Sequence, residues 1–168
     1  MIFTSSQATK DPKSSLYATT KRIGEVEAER YNKQYGNIKV LRLSNVYGGK
    51  YYLKYKDSVI SKFVNAKMKK KHLIVHGDGL QTRDLIHVHE VCRCIEMCLN
   101  DTPLLEPVDV GTGIERSIKE VAEKISDKIT YEEGNVGTSS NVADIDPIKS
   151  IMGFEPKDML DEYLNNVW

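Results

Sequence analysis

The 168 residues contain no apolar run approaching 18 residues, which excludes a membrane-spanning helix. Excess charge is absent too. The 24 Lys and Arg balance the 24 Asp and Glu, so nothing draws the chain toward nucleic acid, and the basic run Lys67 to Lys71 is short. Met1-Ile2-Phe3-Thr4 lacks a charged start and a long apolar stretch, so it does not read as a signal peptide. Cysteine is scarce. Cys92, Cys94 and Cys98 share one predicted helix, a pattern of reduced thiols in a cytoplasmic protein rather than a disulfide framework. There is no internal repeat, and His87 and His89 lack companions at metal-ligand spacing, so no metal is expected. What is present, 40% hydrophobic and 29% charged residues, is the composition of a globular domain with a real core.

Apolar periodicity and turn residues lay out alternating strands and helices. Ile2 to Thr4 is a short strand. Ser14 and Ser15 offer helix caps, and the segment from Leu16 to about Tyr35 is helical, with Ile23, Val26, Glu27 and Tyr31 at helical spacings and Gly36-Asn37 as its stop. Ile38 to Leu43 is a strand that ends in a turn over residues 44–49, and residues 50–56 read as a loop. A helix is predicted over 58–69, a strand over 73–76, a turn at Gly77-Asp78-Gly79, an extended piece over 84–88 and a helix over 89–100. Beyond a strand at 107–110, Ser117 and Glu120 form a capping-box pattern for a helix over 117–126. A strand over 128–132, a flexible polar stretch over 134–141, a helix from Asp146 to Gly153 and a last helix over 158–168 complete the chain. This alternation predicts an α/β fold with a partly parallel sheet under helical cover.

Several residues suit chemistry. Tyr17 and Lys21 lie one helical turn apart, and a nearby ammonium lowers a phenol's pKa from about 10 toward working pH, as a general acid or base on an alcohol or ketone requires. Ser6, at a strand end, is placed to hydrogen-bond the same oxygen. Asn45 follows a strand and suits a polar ligand at the strand tip. Arg83 is a planar cation able to clamp phosphate, although an ion pair with Asp84 is an equally direct use of it. Gly111-Thr112-Gly113 leads toward a helix and could cradle phosphate, without the full Gly-x-Gly-x-x-Gly spacing. The Cys94 and Cys98 pair reads as core filling.

Taken in order, Ser5-Ser6, Tyr17-x-x-x-Lys21, Leu41-Arg42-Leu43-x-Asn45-Val46-Tyr47-Gly48, Gly77-Asp78-Gly79-x-Gln81-Thr82-Arg83-Asp84-x-Ile86-His87-Val88, Asp109-Val110-Gly111-Thr112-Gly113 and Gly153-Phe154-Glu155-Pro156 resemble the extended short-chain dehydrogenase/reductase family. More narrowly they are similar to its NAD-dependent epimerases and dehydratases of nucleotide sugars. The resemblance implies that Tyr17 is the catalytic acid and base. It implies that Lys21 holds the nicotinamide ribose and tunes Tyr17, and that Ser6 bridges the tyrosine and a sugar hydroxyl. It assigns the diphosphate of a UDP- or dTDP-linked sugar to Asn45 and Arg83. The implied reaction is transient oxidation of the sugar, with NAD(P) as cofactor.

The family's glycine-rich dinucleotide turn and its flanking elements are not among these residues. The resemblance therefore implies a partial Rossmann-like (doubly wound) sheet with the C-terminal substrate-binding region. Residues 1–48 would be the C-terminal part of the Rossmann-like domain, and 49–168 the substrate-binding region interleaved with the remaining sheet elements. Three expectations follow. The chain alone binds NAD weakly or not at all, it self-associates as a homodimer or larger assembly to cover surface left by the missing part, and it is a piece of an enzyme, a non-catalytic nucleotide-sugar-binding module, or a truncated relic whose fold survives by self-association. Gln7-Ala8 stand where the dehydratase branch carries Asp-Glu, which favours epimerase chemistry.

Overall fold

The computed structural model describes residues 1–36, 38–49, 58–99, 104–134, 140 and 142–167. Its elements begin with β1 (Ile2–Ser6), a short 3-10 helix (Gln7–Lys10), α1 (Leu16–Tyr35), β2 (Lys39–Leu43), β3 (Asn45–Tyr47), α2 (Val59–Met68) and β4 (Leu73–His76). They continue with β5 (Thr82–Arg83), β6 (Leu85–His87), α3 (Val88–Cys98), β7 (Val108–Val110), β8 (Arg116–Ser117), α4 (Ile118–Ile125), β9 (Ile129–Glu132), α5 (Asp146–Met152) and α6 (Leu160–Asn166). Among the described residues no helix is long and apolar enough to cross a membrane.

The main sheet is parallel, in the order β1-β2-β7. Ser6 stands opposite Leu43, and Leu43 opposite Val110, so all three strands finish at one edge. Helices cover both faces. On one, α1 packs Ala28 with Ile38, Val40 and Phe3. On the other, Leu41, Val108 and Val110 meet Val91, Cys94 and Cys98 of α3 and Ile148 of α5. The expected α/β, doubly wound architecture is what the chain adopts. A second core gathers Ile60, Phe63 and Val64 of α2, Leu73 and Val75 of β4, Val121 and Ile125 of α4, and Leu160 of α6. Beside it β4 pairs in parallel with β9.

Helix α1 shows the clearest departure from its sequence pattern. Its limits are those the sequence predicts: the Ser15 hydroxyl accepts from the Ala18 amide at 3.1 Å, and Gly36 stops it with φ 68°. Yet Ile23, Val26 and Tyr31 are exposed, and the residues it buries are Ala18, Glu25 and Ala28. Small side chains let the helix lie close on β1. A Cβ at Gly24 would stand 2.5 Å from the Phe3 ring, which no real Cβ tolerates.

Glu25 is the polar centre of that interface. It is 1% exposed and accepts from Ser5 at 2.7 Å, from Thr9 at 3.0 Å, from Arg22 at 2.8 Å and from Arg42 Nε and Nη2 at 2.8 and 2.7 Å. One carboxylate thus ties β1, the 3-10 helix, α1 and β2 together.

Other differences are local. Residues 45–47 are a strand rather than part of a turn: β3 pairs with β6, Asn45 opposite Leu85, a partner too distant in sequence for local pattern to show. The two-residue strands β5 and β8 pair antiparallel and are too short to carry a period. Helix α3 starts one residue before the expected 89, β9 starts at Ile129, and α6 is shorter than expected. The capping box forms by half. The Glu120 amide donates to Ser117 Oγ at 3.0 Å, while the Glu120 carboxylate pairs with Arg116 at 2.7 Å. The expected loop at 50–56 and most of the polar stretch 134–141 lie outside the described residues.

Burial alone would raise the Glu25 carboxyl, but hydrogen bonds from Arg42, Ser5, Arg22 and Thr9 outweigh it and draw its pKa from 4.5 down to about 2. A group depressed in the folded state stabilises fully above its unfolded pKa and loses that contribution as pH falls toward the folded value, here between about 4.5 and about 2. The contribution at neutral pH is on the order of 3 kcal/mol. Urea unfolding followed across this window should show stability falling steeply. Glu25→Gln should lower stability at pH 7 and flatten that acid limb; an unchanged acid limb in the variant would count against the assignment.

Candidate functional site

The site residues expected from the sequence fall into two groups at the carboxyl edge of the main sheet, where ligands of open α/β sheets bind. The first is the corner of β1 and α1. Lys21 Nζ donates to the Thr4 carbonyl at 2.9 Å and stands 5.9 Å from the centroid of the Tyr17 ring. That ring is on the first turn of α1 and 55% exposed. Ser6 ends β1, and its Oγ accepts from the Ala8 amide at 3.2 Å, which leaves the hydroxyl proton available. The corner is rigid because its flanks are committed: Ser5 and Thr9 bind Glu25, and Lys10 pairs with Asp109 of β7 at 2.5 Å.

The second group surrounds a cavity of about 550 Å³, lined among others by Asn45, Ser58, Lys62, His76, Gln81 and Arg83. Asn45 and Arg83, 38 positions apart in sequence, therefore converge on one space. Arg83 Nη1 donates to the Thr82 carbonyl at 2.6 Å, and burial pushes the guanidinium below its ordinary value. Apolar walls come from Val46, Ile60, Phe63, Val75 and Leu85. This mixture of apolar lining and a few convergent polar groups suits a small-molecule ligand. Among the described residues Ser6, Tyr17 and Lys21 do not line this cavity.

Two sequence expectations need correction here. Asp84 makes no ion pair with Arg83. It is fully buried, and its carboxylate accepts from Thr112 N at 2.8 Å, Thr112 Oγ1 at 2.7 Å, Gly113 N at 2.9 Å and Ala143 N at 3.1 Å. Adjacent residues of an extended segment face opposite sides, so Asp84 points into the protein while Arg83 lines the cavity. The same bonds remove Gly111-Thr112-Gly113 as a phosphate cradle, because the amides of Thr112 and Gly113 already serve Asp84. Gly111 is needed for closeness: a Cβ there would lie 2.3 Å from both Asp84 Oδ2 and Ser44 Oγ.

Sequence reasoning passed over Glu25, although its position one turn after Lys21 on the same helix face was visible. The Asp84 backbone carbonyl also orients Asn45, accepting from its amide N at 3.0 Å and its Nδ2 at 3.3 Å. Among the described residues no group of three or more His, Cys, Asp or Glu could hold a metal ion.

Comparison with known proteins identifies the family and the fold. Residues 3–111 match the model of the NAD dependent epimerase/dehydratase family. A putative UDP-glucose 4-epimerase of Methanocaldococcus jannaschii is 38% identical over 118 residues, which is 70% of this chain and 38% of that protein. An uncharacterized UDP-glucose epimerase of Bacillus subtilis is 27% identical over 161 residues, 90% of this chain and 50% of its own length. The solved UDP-N-acetylglucosamine 4-epimerase from Methanobrevibacter ruminantium, in complex with UDP-N-acetylmuramic acid, superposes with a TM-score of 0.81 at 26% identity, covering 97% of this chain and 59% of that one. The dTDP-glucose 4,6-dehydratase of Bacillus anthracis, solved with NAD, shares the fold with a TM-score of 0.84 at 24% identity, covering 98% and 60%. The chain thus spans between 38% and 60% of the length of these four proteins.

Asp84→Ala should unfold at a temperature several degrees lower, since four donors lose their acceptor, a cost of roughly 2–4 kcal/mol. Hydrogen exchange should accelerate first at Thr112 and Gly113. Unchanged protection of those two amides would contradict the role given to Asp84.

Proposed function

Since this chain belongs to the NAD dependent epimerase/dehydratase family, we propose that it carries the acid/base and sugar-nucleotide part of an NAD-dependent nucleotide-sugar epimerase. Dehydratase and reductase chemistry are the neighbouring branches. The observation that carries this reading is the convergence of Asn45 and Arg83 on one cavity of about 550 Å³ at the strand tips. Arg83 offers the planar donor fork that diphosphate oxygens accept, and Asn45 adds an amide. The names of the relatives and the UDP-sugar bound in a structural neighbour support a UDP- or dTDP-linked sugar as the ligand.

Tyr17 is the acid and base in this reading. It takes the proton of a sugar hydroxyl as that carbon is oxidised and returns it on reduction. Ser6 donates its hydroxyl proton to the same sugar oxygen and steers it. Lys21 keeps its ammonium beside the Tyr17 ring, held there by the Thr4 carbonyl. NAD, when bound, supplies the hydride acceptor. The residues present fit one end of that cofactor: Lys21 and Tyr17 would hold the nicotinamide ribose. For its pyrophosphate the Gly111–Gly113 turn is unsuitable, since its amides are spent on Asp84. That commitment favours a second reading, a module that holds the sugar nucleotide without turning it over.

The assignment of 1–48 to the cofactor-side region and 49–168 to the substrate-binding region belongs to this proposal, as do a cytoplasmic location and self-association. The exposed Leu16, Ile23, Val26, Tyr31 and Tyr35 of α1, beside a β1 edge that pairs only with β2 among the described residues, are the surface a second copy would cover. Light scattering should therefore return at least twice the chain mass; a clean 19.1 kDa species would remove this part of the proposal.

Calorimetric titration tests the site. The chain should bind a UDP- or dTDP-sugar saturably, and Arg83→Ala should weaken that binding about tenfold or more. NAD should bind no tighter than millimolar to the chain alone, and tight NAD binding would discard the module reading. When a cofactor-binding half is supplied as a second chain, turnover should appear and Tyr17→Phe should abolish it while sugar-nucleotide affinity stays within about twofold. No response to either sugar nucleotide would defeat both readings.

A further inference from the structure

Among the described residues, two buried polar groups without a partner line the cavity beside Asn45 and Arg83: the Tyr47 hydroxyl, which can donate or accept, and Gln81 Oε1, which can only accept. Gln81 lines that cavity. Its backbone is fixed, the carbonyl accepting from the Ile118 amide at 3.0 Å where α4 begins. Its carboxamide is fixed at one end, Nε2 donating to the His76 carbonyl at 3.0 Å. The reverse orientation would set two carbonyl oxygens face to face, so the amide has one workable direction. Oε1 remains, buried and without a hydrogen-bond partner.

A buried acceptor left empty costs about 1–3 kcal/mol, which a ligand donor recovers. Residues two apart on an extended segment share a face, and Arg83, two positions after Gln81, lines the same cavity. A ligand whose phosphates meet Arg83 therefore brings its neighbouring part to Gln81. Phosphate oxygens carry no proton at neutral pH to give, so the group at Oε1 is an O–H or N–H donor. A pyrimidine nucleotide supplies such donors at its ribose hydroxyls and at the imide N–H of its base; the 3′-hydroxyl is common to ribo- and deoxyribonucleotides, so the donors that can set specificity are the 2′-hydroxyl and the imide N–H.

We propose that Gln81 is a specificity-determining residue that accepts a hydrogen bond from the nucleoside of the bound sugar nucleotide, either its ribose 2′-hydroxyl or its base imide N–H. This rests on the nucleotide-sugar reading of the cavity. Preorganisation by Ile118 and His76 lets the acceptor select a donor without paying to order itself. A nucleotide lacking the right donor leaves Oε1 buried and empty, and discrimination follows from that loss.

The experiment compares UDP, 2′-deoxy-UDP and N3-methyl-UDP by calorimetry on the unaltered chain and on Gln81→Met, with Gln81→Ala in reserve should the methionine variant not fold. On the unaltered chain one analogue should bind about tenfold more weakly than UDP, and which one identifies the donor. In the variant UDP itself should weaken about tenfold and the difference between UDP and that analogue should vanish. Equal binding of all three to the unaltered chain, or discrimination that survives in the variant, overturns the role of Gln81 alone. Failure of UDP to bind the unaltered chain overturns the nucleotide reading and this inference with it.

Discussion

The carboxylate of Asp84 is the constraint on which the strand-tip region depends. Four donors from two separate stretches of chain end on it, and its backbone carbonyl receives Asn45 from a third. A charge this deeply buried is tolerable only with its lone pairs filled, so the surrounding loops have little freedom to sit elsewhere. The alternation of side chains along the segment then sends Arg83 the opposite way, into the cavity. The placement of the cation is in this sense a by-product of burying the anion next to it.

Glu25 performs the corresponding task at the other corner. Helix α1 brings few large apolar groups to the sheet, so hydrophobic burial alone would hold it loosely. The bonds from Ser5, Thr9, Arg22 and Arg42 replace that packing with directional contacts, which also fix the rotation of the helix about its axis. Lys21, one turn before Glu25, is thereby carried to the Thr4 carbonyl and held beside Tyr17. Each corner of the candidate site is positioned by a buried carboxylate that does not itself line the cavity.

The alternation of elements was legible because it rests on local signals: Ser15 and Gly36 bracket α1, Pro147 and Gly153 bracket α5, and the β-branched run at 38–43 marks β2. The order of motifs from Ser6 to Pro156 pointed to the family, and the family match over residues 3–111 agrees with it. Illegible were features that exist only through distant partners. Strand β3 depends on Leu85 to His87, and β5 on Arg116 and Ser117. Arg83-Asp84 reads as an ion pair until the fold shows their side chains diverging. The exposure of the large apolar residues of α1 was illegible for a related reason, since periodicity marks a face without saying what lies against it.

Lys39 illustrates a different use of charge. It is buried in β2, and its Nζ donates to the carbonyl of Cys98 at the carboxyl end of α3. The end of a helix presents unpaired carbonyls and a partial negative charge, so an ammonium is welcome there and at few other places on that face of the sheet. A leucine at this position could contribute comparable greasy contact but would say nothing about which turn of the helix belongs above the strand. The lysine works as a positional key: it admits one docking depth for α3, and with it one location for Cys94 and Cys98 in the layer beneath.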